Sequence, residues 1–390
     1  MIGTAPGGQG LVAVLGIVQI FAWGSTYYLL AVLADPIVQD TGWSRLMVMG
    51  GFSLGLLAAG LAAMRIGRLI QQYGGRPVMA GAMLLLAIGL AVLGLSPGLA
   101  GYMLGWVLLG LGMGAGLYDA AFSTLGRIHG SHARKAITQL TLWGGFASTV
   151  CWPISALLVE SLGWRGTCLA YAALHLLVTL PLCVYGIPRQ ASALSVNRPV
   201  AAKRAPQDAR FWILALGLTA FSILSTIVSV HLLSLLQAQG LTIAAAVAVG
   251  AVIGPSQVGA RVVEMLLGGR HHAVWTMLAA TVLTGLGIAG LNTALPPALL
   301  LAVYGAGNGI WSIARGAVPL ALFGPDTYAI IMGRLATPAL LAGAVAPLLG
   351  AAMIDGLGAG QTMQVLAVLA LVPVGAALML LRGLSRSATT

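Results

Sequence analysis

Tyr73–Leu84 reads YGGRPVMAGAML, and Leu267–Leu278 reads LGGRHHAVWTML. Both runs place Gly-Gly-Arg second to fourth and Met-Leu last, and they start 194 residues apart in a chain of 390. Two further pairs keep the offset. Gly114 and Gly116 in GLGMGAGLYDAA map onto Gly307 and Gly309 in VYGAGNGIWSIA at 193, and Pro153 in WPISALLVESLG maps onto Pro347 in APLLGAAMIDGLG at 194. One such match between Gly-rich apolar stretches carries little weight. Three in the same order describe a chain built as two copies of one unit, as in parallel-repeat transporters, where two equivalent halves expose a midplane site to each side in turn.

Composition names the solvent of that unit. Hydrophobic residues make up 59% of the chain and charged residues 7%, with a mean hydropathy of +0.98. A soluble domain needs about 25% charged residues to face water, so this chain faces lipid. The net charge of +11 does not indicate a nucleic-acid partner, because the bases sit in short loops between apolar runs. Cys151, Cys168 and Cys183 are scattered through apolar segments without a CxxC and read as packing residues. No HExxH, GxSxG or P-loop is present, so no enzyme and no cofactor are expected. Nor does any one span hold HxxxM. Metal import survives only as a lesser alternative, from Met265 and Met277 flanking His271 and His272.

A crossing needs roughly 20 apolar residues. Twelve runs qualify: 11–34, 44–64, 77–96, 99–125, 136–159, 165–187, 210–236, 242–267, 273–292, 297–323, 330–354 and 362–381. The one long polar connection, Pro188 to Arg210, separates six from six. The expected fold is an all-α membrane protein of twelve transmembrane helices in two pseudo-symmetric six-helix bundles. Its parts are 1–187, a cytoplasmic linker over 188–209, and 210–390. With both termini cytoplasmic, the inner side holds fifteen of nineteen bases: Arg65, Arg68, Arg76, Arg127, Arg134, Lys135, five from Arg189 to Arg210, Arg270, Arg334, Arg382 and Arg386. Only Arg45 and Arg165 fall outside, which sets the orientation. MIGTAPGGQG has no basic n-region or cleavage site, so the first run is expected to remain as a helix.

Over essentially its full length the chain resembles the major facilitator superfamily. GRLIQQYGGR, Gly67 to Arg76, is similar to that family's signature loop Gly-x-Leu-x-Asp-Arg-x-Gly-Arg-Arg: Gly67, Leu69, Gly74 and Arg76 fit, and Gln71 and Gln72 replace Asp and Arg. The resemblance implies alternating access and a cytoplasmic lock of the outward-open state, for which Gln71 offers hydrogen bonds instead of charge. Trp106 stands where drug:proton antiporters carry Arg, and Trp152-Pro153-Ile154-Ser155 stands where they carry Gly-Pro-x-x-Gly-Gly. Both departures count against drug efflux, which is kept as the alternative. TGWSR at Thr41, LGWR at Leu162 and Arg261 in GPSQVGARVVE are similar to the monocarboxylate and oxalate:formate branch, which places an anion-binding Arg there. Gln257 stands where mammalian members of the branch carry Asp, and the eleventh span holds no base to match the oxalate exchanger's Lys.

Nearly every charge belongs to a loop or the edge of a span, and the clear exceptions are Asp119, Arg261, Glu264 and Arg315. Each costs roughly 2.5–3.5 kcal/mol at a helix centre, so such groups face a cavity or a partner. Arg keeps its proton and presents a fork that fits carboxylate, which makes Arg261 and Arg315 candidates for substrate. Asp119 and Glu264 are candidates for proton coupling or gating. Arg261 and Glu264, three apart on a helix, are equally placed to pair with each other. In the family the first span lines the cavity, so Gln19, Trp23, Tyr27 and Tyr28 join the candidates, with Gln257, Asn308 and His231. His271 and His272 are expected to be solvated. The function expected is secondary transport of a small organic anion with a proton, by a monomer in the bacterial inner membrane.

Overall fold

Loss of water is the first constraint on this backbone, since an unpaired peptide group in hydrocarbon costs several kcal/mol. A computed structural model describes residues 8–189, 208–267 and 270–387, and all regular structure in them is helical. The expected linker lies mostly outside the described residues, as do Gly268 and Gly269 of the second Gly-Gly-Arg.

The first crossing is two helices, α1 (Gly8–Gly24) and α2 (Leu30–Thr41). α3 (Arg45–Tyr73) and α4 (Gly75–Leu95) are the second and third, and α5 (Leu99–Gly116) with α6 (Tyr118–His129) the fourth. α7 (Ala133–Gly145) runs into α8 (Ala147–Leu174), which turns at Gly163 (φ 68°), so the fifth crossing ends there and the sixth begins. A π-helical turn, His175–Thr179, leads into α9 (Leu180–Gly186) and completes the sixth. In the second half the crossings are α10 (Ala209–Ala238), the broken pair α11 (Ile243–Gly250) and α12 (Ile253–Leu267), α13 (Ala273–Gly290), α14 (Pro297–Phe323), α15 (Tyr328–Leu357), and α16 (Ala359–Leu369) with α17 (Leu371–Ser387). Among the described residues eight helical stretches are long and apolar enough to cross a membrane. One of them, Leu99–Gly186, joins the fourth, fifth and sixth crossings, and the broken first and eighth fall outside that length test.

One expectation needs correction. The stretch read as a loop from Gly67 to Arg76 is almost entirely helical: α3 continues to Tyr73, and only Gly74 (φ 86°) leaves the helix before α4 starts. Leu69 and Ile70 extend the apolar periodicity, and Ile70 is fully buried.

The backbone divides into two units. One comprises Met1–Arg204 together with Gly324–Thr337, the other Ala205–Phe323 together with Pro338–Thr390. Each packs its helices through glycine. In the first unit a Cβ on Gly110 of α5 would lie 2.1 Å from the Gly55 carbonyl oxygen of α3. In the second, a Cβ on Gly309 of α14 would lie 2.4 Å from the Gln257 carbonyl oxygen of α12, and one on Gly307 2.5 Å from the Thr284 nitrogen of α13. Without a hydrophobic force between helices in lipid, such approaches supply the dispersion contact that holds a bundle. Trp106 fills the space beside this seam, fully buried, its ring where a Cβ of Gly51 would be.

The joints at the end carrying Arg45 and Arg165 follow local rules. Gly42 caps α2 in the left-handed region, and Ser44 accepts from the Met47 amide at the start of α3. Trp164 donates to Asp40, and Arg165 lies over the Trp164 ring while its guanidinium donates to the carbonyls of Ser96 and Gly94 at the end of α4.

Overpacking the glycine seam should be costly. Gly110→Ala is expected to destabilise the purified protein by about 1–3 kcal/mol, read as a lower melting temperature in detergent. Gly81→Ala, whose Cβ meets nothing within 4 Å, should melt like the parent. Equal melting of the two variants would contradict the packing described.

Candidate functional site

Helix breaks position the candidate groups of the first unit. α5 ends at Gly116 because Leu117 is extended (φ −83°, ψ −166°), which leaves the last carbonyls of α5 without helical partners. Gln19, fully buried on α1, donates its amide to the Gly116 carbonyl at 2.7 Å and accepts from the Trp23 indole at 3.1 Å. The break thus fixes Gln19, and Gln19 fixes Trp23. Trp23 in turn centres an aromatic cluster: its ring lies 4.6 Å from Tyr27, 5.1 Å from Tyr118 and 6.2 Å from Tyr28. Tyr27 continues to Phe52 at 5.0 Å, and Tyr28 to Trp152 at 6.0 Å. Beside Trp152 opens an apolar cleft of about 470 Å³ lined by Ala31, Val32, Thr149, Trp152, Pro153 and Ala156. Asp119 is half-buried in the first turn of α6, where the amide ends of a helix favour negative charge.

In the second unit, residues 251 and 252 separate α11 from α12, which carries Gln257, Arg261 and Glu264. Arg261 is 6% exposed; its Nε donates to the Gly309 carbonyl at 3.2 Å and one Nη reaches the Gln257 amide oxygen at 3.5 Å. The close approach of Gly309 to Gln257 is what brings that carbonyl within reach. Glu264 is 7% exposed, accepts from Thr276 Oγ1 at 2.8 Å, and lies 3.5 Å from His271 Nε2. His271 also sits 3.0 Å from the Thr276 hydroxyl. This corrects the expectation of a solvated histidine pair. The buried carboxylate and the first turn of α13 hold His271, and His272 accepts from the Val274 amide as the cap of α13. Arg315 and Asn308 are half-buried on α14. His231 Nε2 lies 2.9 Å from the Pro347 carbonyl, a role in holding α10 to α15.

At the basic end of the first unit, Gln71 donates to the Asp326 carbonyl at 2.7 Å, and Arg127 donates to the Gln71 carbonyl. A Cβ on Gly67 would lie 2.4 Å from the Ala329 carbonyl oxygen, and one on Gly333 2.5 Å from that of Ala63. Gly67 is therefore required by contact and Gly74 by its positive φ, while Arg76 stands in the first turn of α4. Among the described residues no group of three His, Cys, Asp or Glu could hold a metal ion.

Two all-helical units that cross lipid many times, each with buried polar side chains, define a multi-pass membrane protein. The profile of the Major Facilitator Superfamily matches residues 15–270, and the chain belongs to that family, whose members move solutes and are not enzymes. Solved structures with the same fold include the human organic anion transporter MFSD10 (TETRAN), at 16% identity and TM-score 0.77, covering 96% of this chain and 100% of that one. FucP in the outward conformation matches at 13% identity and TM-score 0.76, over 94% and 98%. The proton:xylose symporter XylE matches at 12% and 0.76, over 96% and 95%. No curated protein matches the sequence.

Removing the Gln19 amide should expose the cost of the fourth-crossing break. Gln19→Leu leaves the Gly116 carbonyl without this donor and is expected to lose about 1–3 kcal/mol, seen as a fall of several degrees in the melting temperature. An unchanged melting temperature would refute this role.

Proposed function

We propose that the protein is a proton-coupled, alternating-access carrier of a small organic anion in a bacterial inner membrane, with both termini cytoplasmic. The observation that carries the reading is Arg261, a permanently charged group buried in an apolar bundle with its Nε held by the Gly309 carbonyl. That bond orients the guanidinium, whose planar fork suits carboxylate. The distribution of bases supports the orientation.

The aromatic face around Trp23, Tyr27 and Tyr28 suits the apolar part of such an anion. Arg315, Gln257 and Asn308 are proposed as further substrate contacts. Asp119 and Glu264 are the proposed proton carriers, Glu264 with His271 as the group that receives or returns its proton. Among the structural neighbours, one is described as an organic anion transporter and another as a proton symporter, which is compatible with this cargo and coupling.

The test is uptake into proteoliposomes of monocarboxylates, dicarboxylates, neutral sugars and lipophilic cations, with and without a pH gradient. Anion accumulation driven by the gradient is expected. Arg261→Gln should weaken it by about ten- to a hundredfold, the worth of a lost charge-assisted bond, with Arg261→Lys retaining part. Uptake of sugars alone, or of cations alone, untouched by Arg261→Gln, would reject the proposal.

A further inference from the structure

The first crossing is interrupted between Gly24 and Leu30, immediately beside the aromatic cluster. Its hydrogen-bond ladder is irregular there: the Tyr28 amide reaches back five residues to the Trp23 carbonyl, and the Leu29 amide only three to Thr26. Thr26 donates its hydroxyl to the Ala22 carbonyl, a back-bond that bends helices. The angle of this joint directs α2, which forms one wall of the apolar cleft through Ala31 and Val32.

A second irregularity faces the joint. The π turn His175–Thr179 lies in the sixth crossing, and His175 is fully buried. Its Nε2 is 2.7 Å from the hydroxyl of Ser25, the first residue of the interruption, also fully buried. Its Nδ1 is 2.8 Å from Thr179 Oγ1. Thr179 gives its own proton to the His175 carbonyl at 3.2 Å, so its oxygen accepts from Nδ1–H. Nε2 is then the acceptor, and Ser25 donates to it. The hydroxyl that would bond its own helix is thereby committed to another crossing. π turns occur disproportionately at functional sites, and this one sets the register that aims an imidazole at the bend.

We propose that His175 is a positioning residue: by holding Ser25 it sets the angle between α1 and α2, and so the cleft beside the aromatic face that takes the apolar part of the transported anion. The part concerning substrate rests on the transport reading above; the latch does not. No charge change is involved. Removing either partner frees the joint, and removing both adds nothing more.

The three native cysteines are buried, so a thiol introduced by Ala31→Cys reports on the cleft wall alone when a membrane-impermeant maleimide is added to purified, folded protein. Ser25→Ala and His175→Leu are each expected to change that labelling rate, and to raise KM for the transported anion, by about five- to tenfold, the scale of one buried hydrogen bond. The double variant should match the more affected single one, and His175→Gln, which keeps an acceptor near the Nε2 position, should recover most of the loss. A merely structural role would lower yield or melting temperature while leaving labelling rate and KM of the folded fraction unchanged, and that result overturns the proposal. Independent, multiplicative effects of the two substitutions overturn it as well. Coupled labelling changes in a protein that moves no anion of the panel uphold the latch and reject the cargo assignment instead.

Discussion

A peptide carbonyl in hydrocarbon must find a donor, and most of what is specific about this chain follows from how it meets that demand where helices stop. An uninterrupted helix satisfies its own backbone, but this one interrupts the first, fourth and eighth crossings and leaves helix ends to be closed by side chains. Gln19 closes α5 at Gly116, Arg165 closes α4 at Ser96, Arg127 reaches the Gln71 carbonyl in the last turn of α3, and Gln239 reaches Leu291 beyond α13. Cationic donors at helix C-termini are favoured by the helix dipole as well. With 7% charged residues, a chain that commits two arginines to capping carbonyls is using scarce groups for structure first.

That priority changes the meaning of two sequence motifs. TGWSR and LGWR resemble a branch of the family, yet their described contacts build the corners of the first unit. Gly42 supplies a left-handed cap, Ser44 starts α3, Arg45 pairs with Asp35 at 2.8 Å, and Trp164 and Arg165 tie Asp40 to the end of α4. The signature stretch with Gln71 in place of Asp works similarly. Gln71 places a neutral amide on the Asp326 carbonyl, and Gly67 admits the backbone at Ala329.

Hydropathy made the crossings legible, and the 194-residue offset made the duplication legible, because both are written in composition and order. The breaks were not legible. A window average does not distinguish Leu117 extended from Leu117 helical, and GLGMGAG reads as flexible whether its glycines bend the chain or, as Gly110 does, admit a neighbouring backbone. The setting of His271 is not legible in sequence because its partners, Glu264 and Thr276, lie on two different helices that only the turn between α12 and α13 brings together. His175 sits in LHLLVTL, an apolar run in which only the spacing to Thr179 hints at a bond. Ser25, 150 residues away, gives no local sign at all.

What the two halves of the sequence share is small residues and proline more than chemistry. What recurs at the offset is glycine and proline: Gly116 and Gly309, Pro153 and Pro347. At Gly309 the constraint is backbone approach, since a Cβ there would collide with Gln257, whereas a Cβ at Gly116 would meet the Met83 side chain. Side chains pointing elsewhere carry no such constraint. The first unit has accordingly gathered Trp23, Tyr27, Tyr28 and Tyr118 around a capped break, while the second has buried Arg261 and Glu264 on one helix. The close backbone contacts fix the packing within each unit and leave the remaining side chains free to differ.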